Sequence, residues 1–125
     1  MRYYSKKRRA REDEARDFRR GLVADVGRCE HCGVQAFQRG RETKLCVHEI
    51  ANGPLRQKAL DKPYAVLVLC WPCNLLATDK GRWSETAQLA CLQRSRPDHY
   101  DLAAYNFLVN PRAPLRITQE EVDNS

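Results

Sequence analysis

The sequence predicts a small α+β domain, and three observations carry that reading. Two CxxC pairs, Cys29-Glu30-His31-Cys32 and Cys70-Trp71-Pro72-Cys73, bracket the middle of the chain. Between them lie β-rich stretches, notably Leu45-Cys46-Val47-His48-Glu49-Ile50 and Tyr64-Ala65-Val66-Leu67-Val68-Leu69. On either side, apolar residues recur at helical spacing. Runs of period two in the middle and period 3.6 at the flanks give the mixed class.

The elements follow in order. Phe18, Leu22, Val23 and Val26 form a helical stripe, which predicts a helix from about Arg8 to Asp25. Gly27 breaks it, and Gly33 after Cys32 fits a turn that needs positive φ. Gln35–Gln38 and Lys44–Ile50 read as strands joined by Arg39-Gly40-Arg41-Glu42. His48 and Glu49 then point to opposite faces if the strand stays regular, so a twist or bulge is needed for both to serve one site. Asn52-Gly53-Pro54 is a turn signal, and Arg56–Asp61 fits one or two helical turns. The run from Tyr64 to Leu69 is a strand leading into the second CxxC pair. A short helix is expected over Asn74–Asp79. Ser84 caps a better one, stopped by Pro97, and another runs from Asp98 to Val109. Thr118 and Glu121 make a capping box for a final turn.

The chain has 125 residues, 42% of them hydrophobic and 30% charged. That allows one modest core. The formal net charge is +6. Much of it sits at the start, where Arg2, Lys6, Lys7, Arg8, Arg9, Arg11, Arg16, Arg19 and Arg20 outnumber Glu12, Asp13, Glu14 and Asp17. An acidic polymer is the natural partner of such a chain, and a merely soluble basic protein is the plainer reading. No apolar run approaches the roughly 18 residues that cross a membrane, and no apolar stretch of a signal peptide follows the basic start. The expected location is therefore the cytoplasm. There, CxxC pairs point to metal rather than to three disulfides.

Four thiolates from Cys29, Cys32, Cys70 and Cys73 satisfy a tetrahedral structural Zn²⁺. Cys46 and Cys91 lack a CxxC partner and read as small buried hydrophobes. Cys46 with His48 is the alternative metal pair. Trp71 and Trp83 flank the second knuckle and read first as packing. Trp71 could also cover the zinc or stack on a base.

On these motifs the chain resembles the HNH, or ββα-metal, endonuclease family, which often wraps its catalytic hairpin between two CxxC knuckles. The family's first strand commonly reads hydrophobic-x-Val-(His or Asp)-His-Ile, beside Leu45-Cys46-Val47-His48-Glu49-Ile50 here. Its second knuckle typically follows Asn-Leu-Val-x-Leu, beside Ala65-Val66-Leu67-Val68-Leu69, and precedes His or Asn, beside Asn74. The Asn directly after the last cysteine is similar to the phage recombination endonuclease VII branch, and a phage or mobile-element origin suits the family.

The resemblance covers roughly residues 27 to 81. That stretch is expected to be an HNH-like zinc-knuckle domain over 27–81, and outside the resemblance lie a basic arm and helix over 1–26 and a C-terminal helical extension over 82–125 expected to pack on the core. The resemblance implies that His48 and Asn74 hold a catalytic Mg²⁺ or Mn²⁺ and that Glu49 activates water, giving metal-dependent hydrolysis of DNA phosphodiesters. Glu49 stands where the family usually has His, and Ala65 where it has Asn. Lys6, Lys7, Arg8, Arg9, Arg56 and Lys58 are the expected nucleic-acid contacts, with Lys62, Lys80 and Arg82 as further phosphate contacts. The alternatives are a catalytically degenerate, zinc-stabilised nucleic-acid-binding module, and an interaction protein in which the knuckle only holds the fold. The geometry around His48, Glu49 and Asn74 separates the first two readings.

Overall fold

The computed structural model describes residues 6–51, 59 and 61–125. The expected turn at Asn52-Gly53-Pro54, nearly all of the expected helical turn at Arg56–Asp61, and Arg2, Arg56 and Lys58 lie outside the described residues.

Helix α1 (Lys6–Val26) is charged over its first half and buries only Ala15 and Leu22. Gly27 ends it in the left-handed region, φ 65°, with its N–H on Val23 O at 2.9 Å. This is the glycine cap the sequence announces. Gly33 likewise takes φ 83° behind Cys32.

The strands pair differently from the sequence reading. β1 (Phe37–Gln38) pairs with β2 (Arg41–Glu42), not with the strand near residue 45. Arg39 and Gly40, at φ 54° and 74°, form the two-residue turn with positive φ at both positions that closes a tight hairpin. The stretch expected to be a connector is thus half of a small hairpin of its own. β3 (Leu45–Glu49) pairs antiparallel with β4 (Val66–Cys70), from Leu45↔Cys70 to Glu49↔Val66. A 3₁₀ turn at Pro63–Ala65 leads into β4.

Every residue of β4 is buried. One of its edges is paired with β3. At the other, Glu30 N–H donates to Val68 O at 2.8 Å, and Val68 N–H donates to Glu30 Oε1 at 2.8 Å. A single glutamate thus imitates a partner strand and closes an edge that would otherwise expose backbone groups. Arg96 takes Val66 O at 2.5 Å on the same edge.

Helix α2 (Trp71–Thr78) follows β4 without a gap. It starts three residues before the expected Asn74, because a proline in the first turn, Pro72, costs a helix no hydrogen bond. α3 (Glu85–Ser95) is capped by Ser84, whose side chain accepts from Ala87 N–H. α4 (Leu102–Val109) starts at the Asp101 cap rather than at Asp98. The N–H groups of His99 and Tyr100 close onto Arg96 O instead. α5 (Gln119–Asp123) carries the expected Thr118–Glu121 capping box. The whole is the expected α+β class.

The core is continuous. Leu22 of α1, Ile50, the β4 residues Val66–Leu69, Leu89 and Leu92 of α3, Tyr105 of α4 and Val122 of α5 belong to one buried cluster. Trp83 is buried, as packing requires. Trp71 corrects the sequence reading, since it is 63% exposed at the first position of α2. Among the described residues no helix is long and apolar enough to cross a membrane.

Candidate metal centre

The β3–β4 pair has two ends, and the cysteines meet at one of them. Cys70 ends β4, and Cys73 sits one turn on in α2. Cys29 and Cys32 come from the tight turn before Gly33, where Gly33 N–H donates to Cys29 O at 3.0 Å. The four Sγ atoms lie within 4.8 Å of one another. Cys32 and Cys70 Sγ are 3.7 Å apart. A tetrahedral Zn²⁺ with Zn–S bonds of about 2.3 Å holds its sulfurs about 3.8 Å from each other. The cluster therefore has the dimensions and the soft donors of a structural zinc site.

The thiols behave as crowded like groups do. Burial opposes ionisation of Cys29, but backbone N–H bonds, that of Cys32 first, outweigh it and bring its thiol down to about 7. Burial raises Cys73 and Cys32, and thiol bonds to their neighbours add to the rise in both. The Cys29 thiolate forms readily, and Cys32 and Cys73 need a cation beside them to ionise.

A buried ion pair clamps the first knuckle. Arg96 Nε donates to Glu30 Oε2 at 2.9 Å and Oε1 at 3.1 Å, and Ser95 donates to the same carboxylate. Glu30 is fully shielded and Arg96 nearly so. His31 Nδ1 lies 3.7 Å from Cys73 Sγ, and its ring packs 4.3 Å from that of Trp83. Cys91 Sγ donates to Glu30 O at 3.3 Å, and burial pushes its thiol up to about 11. Cys46 Sγ donates to Leu69 O, and burial raises it too. Neither cysteine joins the cluster; Cys91 is buried as expected, while Cys46 is only half-buried.

At the other end stand His48 and Glu49. β3 stays paired through both, so no bulge turns them to one face. Glu49, Leu45 and Val47 border an open groove of about 470 Å³ against Arg19, Arg20 and Val23 of α1. His48 is 5% exposed and faces the other way. Its Nε2 lies 3.0 Å from Gln88 Oε1. Gln88 Nε2 donates to Ala77 O of α2 at 2.9 Å and to Trp83 O at 3.0 Å. Gln88 thus ties His48 to α2. Asn74 is half-buried on that helix.

Lys80 joins this cluster. Its Nζ donates to Ile50 O at 2.8 Å and Gln88 Oε1 at 3.2 Å, and burial lowers its pKa against the pull of Glu85. A lysine read from the sequence as a phosphate contact is in fact turned inward. Lys6, Lys7, Arg8 and Arg9 are exposed on the first turn of α1, with Arg8 also bonded to Glu12. Sequence reasoning missed Gln88. Its one signal is a polar residue set inside the apolar stretch Ala87, Leu89, Ala90, Cys91 and Leu92. Compared with protein families, curated proteins and solved structures, the chain matches none.

Proposed function

We propose that this chain is a metal-dependent DNA endonuclease of the HNH type, framed by a structural zinc on four cysteines. The observation that carries the reading is the tie from His48 through Gln88 to α2. It ties His48 to the helix that carries Asn74. The order β3, β4, α2, with Cys70 and Cys73 at the β4–α2 junction, agrees with the ββα arrangement that the resemblance implies. A fold alone does not carry function, so the residues at the His48 end must.

In this reading His48 and Asn74 hold a Mg²⁺ or Mn²⁺. When bound, such an ion supplies Lewis-acid stabilisation of the phosphate and of the leaving 3′-oxygen. His48 contributes an imidazole held at one nitrogen by Gln88, the usual support of a metal-ligating histidine. Lys6, Lys7, Arg8 and Arg9 supply sequence-independent attraction to the DNA backbone. Glu49 faces Arg19 and Arg20 across the hairpin, and we leave it out of the catalytic group.

A second reading is a zinc-stabilised nucleic-acid-binding module without catalysis. The position of Glu49, across the sheet from His48, favours it, because no carboxylate then stands in the family's water-activating place.

The test is incubation of the zinc-loaded protein with supercoiled plasmid and Mg²⁺ or Mn²⁺. Nicking is expected in the wild type and in Glu49→Ala, and is expected to fall at least about 100-fold in His48→Ala and Asn74→Ala, the scale of losing a group central to the chemistry. Absence of nicking with any divalent metal, alongside salt-sensitive plasmid binding, would leave the binding module.

A further inference from the structure

We infer that Gln88, from the helix beyond the HNH-like segment, is the positioning residue that fixes the tautomer of His48, with the hydrogen on Nε2 and the lone pair on Nδ1. The inference rests on the nuclease reading for its use, but not for its geometry.

The amide orientation comes first. One end of the Gln88 side chain lies 2.9 Å and 3.0 Å from the carbonyl oxygens of Ala77 and Trp83. Carbonyls only accept, so that end is the NH₂. The opposite end is therefore Oε1, an acceptor only. It meets Lys80 Nζ at 3.2 Å and His48 Nε2 at 3.0 Å. Lys80 is a donor and satisfies its half. His48 Nε2 must then carry a hydrogen to bond Oε1. In the neutral ring the lone pair falls on Nδ1.

Each link of this chain is buried. Gln88 is fully shielded and His48 nearly so. Gln88 cannot flip without facing two carbonyls with an oxygen, and His48 cannot change tautomer without facing Oε1 with a lone pair. Either move leaves buried groups unpaired, which would shift the tautomer ratio about 5- to 150-fold for each group left without a partner. A fixed tautomer is what a ligating or proton-accepting histidine needs, and partners of this kind change metal affinity or activity about 10- to 100-fold when removed.

The test uses the full zinc-loaded chain with ¹⁵N-labelled histidine. Long-range ¹H–¹⁵N correlation reads the tautomer, and His48→Gln identifies the His48 signals. The expected result is the Nε2–H form in the wild type, where Oε1 is the acceptor. Gln88→Leu, which removes it, is expected to give a mixture of both tautomers and about 10- to 100-fold slower nicking with Mn²⁺. An Nδ1–H form in the wild type overturns the inference, as does a tautomer unchanged in Gln88→Leu. If Gln88→Leu does not fold, Gln88→Met, an unbranched side chain of similar length without that acceptor, is read in its place. If no variant and no wild type nicks, the nuclease reading fails, while the tautomer result still decides the role of Gln88.

Discussion

The two ends of the β3–β4 hairpin solve different problems with different means. At the Cys70 end, four like donors from two short motifs converge within 4.8 Å, and each motif brings its own turn. At the Glu49 end, residues 48, 80 and 88 come from three separate segments and meet through one amide. The first end is local chemistry repeated twice. The second exists only once β3 has its register, α2 its start and α3 its cap.

That difference explains what the sequence made legible. The four cysteines of the candidate metal centre could be read directly, because a CxxC pair fixes both donor type and spacing. The helices were also legible, since Gly27, Ser84 and Thr118 each speak for a boundary within one or two turns. The partner of β1 was not, because apolar pattern does not say which strand pairs with which, and the deciding feature was the positive φ of Arg39 beside Gly40. Gln88 was hidden for a related reason. A polar residue on a buried stripe announces a bond but not its partner. Trp71 was misjudged because a residue inside a knuckle need not face inward.

The largest expected effect tests whether the cysteine end governs the fold. Purified protein should hold one Zn²⁺ per chain by metal analysis. Cys70→Ser or a strong chelator should abolish cooperative unfolding, since structural zinc in small motifs supplies about 10 kcal/mol or more. A chain that keeps its melting transition without metal would break the comparison at its root.

Next is the clamp on the first knuckle. Arg96→Met leaves the Glu30 carboxylate buried without its cation. Removing one partner of a buried pair costs about 3–5 kcal/mol. Urea titration should show this loss, and adding Glu30→Gln should recover part of it. Equal stability of the single and double variants would mean that Glu30 binds β4 without needing Arg96.

The faces of β3 give a smaller contrast. His48→Ala removes the donor to buried Gln88 Oε1 and should cost about 1–3 kcal/mol. Glu49→Ala, at the groove beside α1, should cost about 0.5 kcal/mol or less, as surface changes do. Thermal melts of the two variants would sharpen the assignment of faces, and equal losses would contradict it.

The smallest effect separates the two ends most directly. Ser84 Oγ accepts from Ala87 N–H at 3.2 Å, and Ser84 O accepts from Gln88 N–H at 2.9 Å. Ser84→Ala keeps the second bond and loses the first, a cap worth about 1 kcal/mol. The loss falls on the first turn of α3, where Gln88 holds His48, and not on the cysteines. Amide hydrogen exchange should therefore quicken in that turn while β4 and the two knuckles keep their protection, since local openings follow local stability. Uniform quickening across both ends would show that the hairpin responds as one unit, and that the His48 end has no stability of its own to lose.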